Sequence, residues 1–240
     1  MSLSDPILPV VAIFFFSTLV RSALGFGDAL LAMPLLAVVI GMQWATPLVA
    51  FGASTIGLII LLKNWRSVDF RSAWRLILAS LLGIPFGLWL LKDAPEYLVK
   101  IVLGVLLILF GLYNLFKPQL PEIRNEKSAY LFGFIAGILG GAYNTNGPPV
   151  VIYGTLCHWN PERFRATLQC YFFPTGLMIL IGHGLAGLWT PAVLRLYACA
   201  LPGILFGIWL GGRVNSSIPS GQFNRLIYIF LILVGVFLFF

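Results

Sequence analysis

Ten apolar runs, parted by short polar or glycine-rich interruptions, divide the chain at residues 7–20, 29–40, 44–62, 73–91, 98–116, 128–142, 147–157, 164–181, 191–211 and 223–240. The runs are continuous and lack the alternation of a membrane-barrel strand, so they predict helices. Several approach the roughly 20 residues that a helix needs to cross a bilayer core. The first two cannot form one helix, because residues 6–41 would extend about 54 Å against a core of about 30 Å. A turn is therefore predicted in the glycine-bearing stretch Arg21-Ser22-Ala23-Leu24-Gly25-Phe26-Gly27-Asp28.

Composition turns helical runs into membrane helices. Of 240 residues, 60 % are hydrophobic and 10 % charged, and the mean hydropathy is +0.97. A soluble domain carries about 25 % charged residues, so this inventory cannot build a water-facing surface. The fold class predicted is an all-α, multi-pass integral membrane protein, with lipid as its surroundings. The first apolar run lacks a basic leader and a small-residue cleavage site, so it is expected to stay as a helix.

The net charge of +7 comes from basic residues in the short gaps, a pattern that orients membrane helices and gives no nucleic-acid patch. With the 63–75 loop inside, residues 117–127, Arg163, Arg165, Arg213 and Arg225 fall inside too, and the other face receives Lys92, Lys100 and Arg195. Both termini are then expected on the outer side. Cys157, Cys170 and Cys199 show no metal-ligand spacing, and neither do His158 and His183, so no metal or other cofactor is expected. There is no phosphate-binding Gly-rich loop ending in Lys-Ser/Thr and no G-x-S-x-G, so neither ATP hydrolysis nor an enzymatic nucleophile is predicted.

The two ends of the chain repeat. At an offset of 120 residues, Leu82-Gly83-Ile84-Pro85-Phe86-Gly87-Leu88-Trp89 falls on Pro202-Gly203-Ile204-Leu205-Phe206-Gly207-Ile208-Trp209, Arg75 on Arg195, Thr55 on Thr175 and Gly27 on Gly147. Residues 1–116 read as the first half, 117–127 as a polar linker and 128–240 as the second half of a single transmembrane domain. Each half is a glycine-broken hairpin plus three spans, an odd number of crossings, so the halves are expected to be inverted. The glycine pairs Gly83/Gly87 and Gly203/Gly207/Gly211 read as close helix contacts.

Gly140-Gly141-Ala142-Tyr143-Asn144-Thr145-Asn146-Gly147-Pro148-Pro149 interrupts the second half with polar side chains, glycines and a proline pair. Unpaired amides in hydrocarbon cost several kcal/mol each, so Asn144, Thr145 and Asn146 need partners. One reading is that they cap the helix that Gly147 begins. The other is that they bind a solute beside a helix N-terminus, which attracts anions. The first-half elbow supplies Gly25, Gly27 and a helix start at Asp28, so a small anion held between two N-termini is expected, mainly by backbone N–H and neutral polar side chains. Arg21 and Asp28 read either as a structural ion pair or, with Asp28 carrying a proton, as the coupling residues. Gln169 is a further candidate ligand, and Tyr143, Tyr171 and Thr175 are candidate cavity residues, the last two one helical turn apart.

These two Gly-rich elbows, residues 24–34 with Met33-Pro34 and residues 140–149 with Gly147-Pro148-Pro149, resemble the sulfite exporter TauE/SafE family of bacterial and archaeal membrane proteins. The resemblance spans the whole chain, including its length and duplication, and departs from the family's commonest form at Asp28. It implies a secondary transporter that moves a small sulfur-containing anion (sulfite, sulfoacetate or a related sulfonate) outward across the cytoplasmic membrane. An anion channel and a non-transporting assembly partner are the alternatives, and a homodimer stays open.

Overall fold

A computed structural model describes residues 6–24, 26–64, 70–116, 122–123, 125–214 and 220–239. Within them the chain forms α1 (Ile7–Leu24), α2 (Asp28–Ile40), α3 (Met42–Asn64), α4 (Phe70–Asp93), α5 (Glu96–Phe116), α6 (Ser128–Tyr143), α7 (Gly147–Leu156), α8 (Pro161–Leu185), α9 (Pro191–Val214) and α10 (Ser220–Phe237). Each apolar run is a helix whose ends fall within four residues of the run's own, most reaching further into the polar gaps, whereas α7 and α10 stop short of their runs' last residues. Among the described residues, five helices are long and apolar enough to cross a membrane, namely α3, α4, α5, α8 and α9. The chain is a multi-pass helical membrane protein. By contrast α7, with 10 residues, is about 15 Å long and cannot cross alone. The predicted 117–127 linker lies mostly outside the described residues.

The turns have local causes. Gly27 ends the first elbow at φ 100°, a left-handed conformation that a Cβ disfavours, and Leu31 N donates to Gly27 O to start α2. Asn144 ends α6 at φ 55°, the left-handed region that Asn tolerates better than most residues. Its N–H donates to Gly140 O at 2.8 Å, the single bond of an αL cap, and Thr145 N–H donates to Leu139 O at 3.3 Å. Pro148 and Pro149 then occupy the first turn of α7, where a missing N–H breaks no helical bond.

Packing joins helices that are distant in sequence. α4 lies along α6 and α1 along α9, while α5 packs on α10, α8 on α3 and α4, and α9 on α3. Glycines bring the backbones together. A Cβ on Gly83 would strike Phe134 O, and one on Gly87 would strike Ile138 O. Gly203 and Gly207 sit against Val11 and Phe15 on α1, where an added Cβ would lie 3.1 Å from Val11 Cγ1 and 3.0 Å from Phe15 O. Small residues replace the hydrophobic drive that lipid cannot supply between helices. The outward faces are apolar as well, with Leu8, Phe16, Phe86, Trp89, Leu109 and Phe206 exposed, as a lipid-facing surface requires.

Candidate functional site

Three polar residues interrupt the helix path between α6 and α7, and all three are buried: Asn144 5 %, Thr145 1 % and Asn146 7 % exposed. Their side chains do not cap α7. Asn146 occupies the cap position and makes no side-chain cap bond. Instead Asn144 Nδ2 donates to Thr46 O on α3 at 2.7 Å, and Asn146 Nδ2 donates to Thr175 Oγ1 on α8 at 3.2 Å. Thr175 Oγ1 in turn donates to Tyr171 O at 2.6 Å. The amides thus tie the break to two long helices, and the capping reading is not what this structure holds.

A small cavity lies beside the break, with a volume of ≈ 30 Å³, room for about two water-sized spheres. The α6–α7 break lines it with Asn144, Thr145, Asn146 and Gly147, and the first elbow lines it with Phe26, Gly27, Asp28, Ala29 and Leu30. Arg21 of α1, Ala53 of α3, and Phe172, Gly176 and Ile179 of α8 complete the wall. The starts of α2 and α7 therefore border one space. The proline pair shapes what α7 offers there: of the four backbone nitrogens from the cap residue Asn146 to Pro149, only those of Asn146 and Gly147 carry hydrogen.

Charge is present in the wall as the pair of ionisable residues singled out by sequence. Arg21 Nη1 and Asp28 Oδ2 are 2.7 Å apart, and both residues are less than a tenth exposed. The Arg21 guanidinium also stands 5.5 Å from the centre of the Phe172 ring, within cation–π range. Of the buried side-chain polar atoms on wall residues, Arg21 Nε and Thr145 Oγ1 have no protein partner among the described residues. Both are donors on nearly buried side chains.

Residues 10–238 match the family described as Sulfite exporter TauE/SafE. The chain belongs to that family. A protein of Cupriavidus necator named "Probable sulfite/organosulfonate exporter TauE" is 24 % identical, the match covering 96 % of this chain and 92 % of that one. "Probable membrane transporter protein YunE" of Bacillus subtilis is also 24 % identical, over 90 % of this chain and 91 % of its own. A "Probable membrane transporter protein" of Haemophilus influenzae is 33 % identical over 95 residues, 39 % of this chain and 36 % of its own. No solved structure matches the chain. The chain is thus a family membrane transporter, and its relatives are named for transport, not catalysis.

Of the residues singled out by sequence, Arg21, Gly27, Asp28, Asn144, Thr145, Asn146 and Gly147 meet at the cavity. Gly25 lies outside the described residues. Four others stand back from the wall. Gln169 is half-buried with Oε1 unpartnered, and Tyr143 is fully buried with its hydroxyl unpartnered. Tyr171 OH is 2.7 Å from Ser80 Oγ, which donates to Gly133 O at 2.7 Å, and Thr175 supports Asn146 from behind. Sequence reasoning missed Phe172, Gly176 and Ala53, whose types look like ordinary helix packing. His183, considered in the sequence for metal-ligand spacing, does not line the cavity; it is fully buried near the end of α8 with Nε2 donating to Gly141 O at 3.2 Å.

Proposed function

We propose that this protein is a secondary transporter, working as an exporter, for a small sulfur-containing anion such as sulfite or a compact sulfonate. It sits in the cytoplasmic membrane of a prokaryote with both termini outside. The anion occupies the cavity between the starts of α2 and α7, and a proton is the co-transported ion. One observation carries the reading: two broken-helix starts border a single buried space whose wall includes Arg21 and Thr145, and Arg21 Nε and Thr145 Oγ1 have no protein partner among the described residues. Helix N-termini carry partial positive charge and attract anions. The name of the Cupriavidus necator relative supplies the substrate class.

The transport cycle we infer is alternating access between inverted halves, α1–α5 and α6–α10. Helix pairing supports this. If α1 corresponds to α6 and α4 to α9, the contact of α1 with α9 is the counterpart of that of α6 with α4. In the same way α3–α9 answers α8–α4, and α3–α8 and α5–α10 are each their own counterparts. Such repeats place a site near the midplane, where one half can rock against the other.

Purified protein in liposomes tests the function. Labelled sulfite and sulfoacetate loaded inside should leave at a rate that saturates, with counterflow when unlabelled anion is added outside. Flux no greater than in empty liposomes under every imposed gradient would remove the transport reading. Unsaturable flux that tracks voltage would make the protein a channel.

A further inference from the structure

Arg21 is a buried cation whose charge is already answered, and that fact constrains how any anion can enter. α1 carries no other ionisable side chain, α2 carries only Asp28, and α3 carries none from Met42 to Leu62. On α9, packed along α1, Arg195 is exposed, Arg213 is exposed over the Trp209 ring, Tyr197 OH is 2.6 Å from Thr55 Oγ1, and Cys199 is half-buried. On α10, Arg225 is exposed and the half-buried Tyr228 packs edge-on against Phe110. From α8 the pocket wall receives Phe172, Gly176 and Ile179, and from the break Asn144 to Gly147, none of them charged at neutral pH. Within the wall, Arg21 and Asp28 are therefore the whole charge balance, and they sum to zero.

We propose that Asp28 is the resident counter-ion of Arg21 and that a monovalent substrate anion replaces it, with Asp28 taking up one proton as the anion binds. The inference rests on the transport reading above. Four occupancies exist. With the pair alone, the site is neutral; with a proton on an Asp28 oxygen and no anion, it is +1; with an anion and ionised Asp28, it is −1; with both, it is neutral again. A buried net charge is strongly disfavoured in a low-dielectric interior, whereas a compensated one is tolerated. Only the two neutral forms reorient readily. One proton, drawn from water on the loading side and released on the other, then accompanies each anion, and the cycle moves no net charge. Arg21 Nε and the Thr145 hydroxyl, neither with a protein partner among the described residues while Nη1 holds Asp28, donate to the anion's oxygens.

The Asp28→Asn variant separates this scheme from its rivals. The substituted amide keeps the shape of the carboxylate but leaves the empty site at +1 and the loaded site neutral. Anion-for-anion exchange should persist, whereas net efflux, which needs the empty carrier to return, should fall at least about tenfold. In the wild type the apparent affinity in exchange should rise about tenfold per unit of acidification while Asp28 is ionised in the empty site, and in the variant it should be flat.

The measurement uses the full chain in liposomes with labelled sulfite and labelled methanesulfonate as probes. Net wild-type flux should not respond to an imposed potential, and methanesulfonate efflux should alkalinise the lumen by one proton per anion. Flux that follows the potential without luminal alkalinisation overturns the proposal while leaving transport intact. Equal loss of exchange and net flux in Asp28→Asn, with unchanged wild-type affinity from pH 5 to 8, overturns it as well. If neither probe moves in the wild type, the transport reading fails and this inference falls with it.

Discussion

Asn144 holds a left-handed turn and a bond to α3 at once, and substitution can separate the two. Asn144→Gly keeps the φ of 55° accessible and removes only the 2.7 Å bond to Thr46 O. Side-chain hydrogen bonds within membranes average about 0.6 kcal/mol, so Asn144→Gly should fold normally. Asn144→Ala adds backbone strain of roughly 1 kcal/mol and should melt several degrees lower in detergent. Both, like Asn146→Ala, should lose transport several-fold or more, because the break is no longer tied to α3 or α8. Wild-type flux from all three would leave the polar break without a transport role. Gly176 offers a cleaner probe of the cavity. A Cβ there meets only Ser54 Oγ at 3.8 Å, so Gly176→Ala should fold with unchanged thermal stability and, by narrowing the space, lower flux several-fold.

At the scale of elements, the glycine contacts set how close the helices come. A side chain on Gly87 or Gly207 would push α4 from α6 or α1 from α9, since the nearest atoms are backbone carbonyls, Ile138 O and Phe15 O. Backbone cannot yield as a flexible side chain can. Overpacking costs typically 1–3 kcal/mol, so Gly87→Leu and Gly207→Leu should each reduce folded yield from membranes markedly. Gly212, with nothing near its Cβ position, is the control, and Gly212→Ala should match the wild type. The short helices follow different logic. α7 is held by the bonds of its preceding break and by burial of Val150, Val151 and Tyr153, because ten residues are too few for a span.

For the whole molecule, inverted halves make a statement about sidedness. If each half crosses an odd number of times, the polar linker and the two termini lie on opposite faces, and the bias of basic residues puts the linker inside. In a cysteine-free background, a membrane-impermeant maleimide added to intact cells should label Ser4→Cys and leave Lys127→Cys unlabelled until the membrane is opened. Labelling of both positions from outside would defeat the inverted arrangement. Sidedness also matters for the charge scheme, because the pair Arg21–Asp28 must meet water from each face in turn if a proton is to travel with each anion.

Much of this was legible in the chain itself. Continuous apolar runs dictate helices in lipid, because backbone polar groups there must be satisfied within the segment. Gly27 and Asn144-Thr145-Asn146-Gly147-Pro148-Pro149 announce their breaks through backbone chemistry that acts locally. The 120-residue repeat and the pairing role of Gly83 and Gly203 could also be read from spacing. What the chain did not disclose depends on which helices meet. Phe172, Gly176 and Ala53 are unremarkable apolar or small residues until α8 and α3 are packed around the two elbows. Asn146 was equally suited to cap a helix or to bond Thr175, 29 residues away, and only the position of α8 decides between them. Arg21 and Asp28 are seven residues apart with a glycine-bearing turn between, so only the path of that turn could bring them to 2.7 Å. Local chemistry determined where the helices start and stop, and long-range packing alone determined which of their side chains share a cavity.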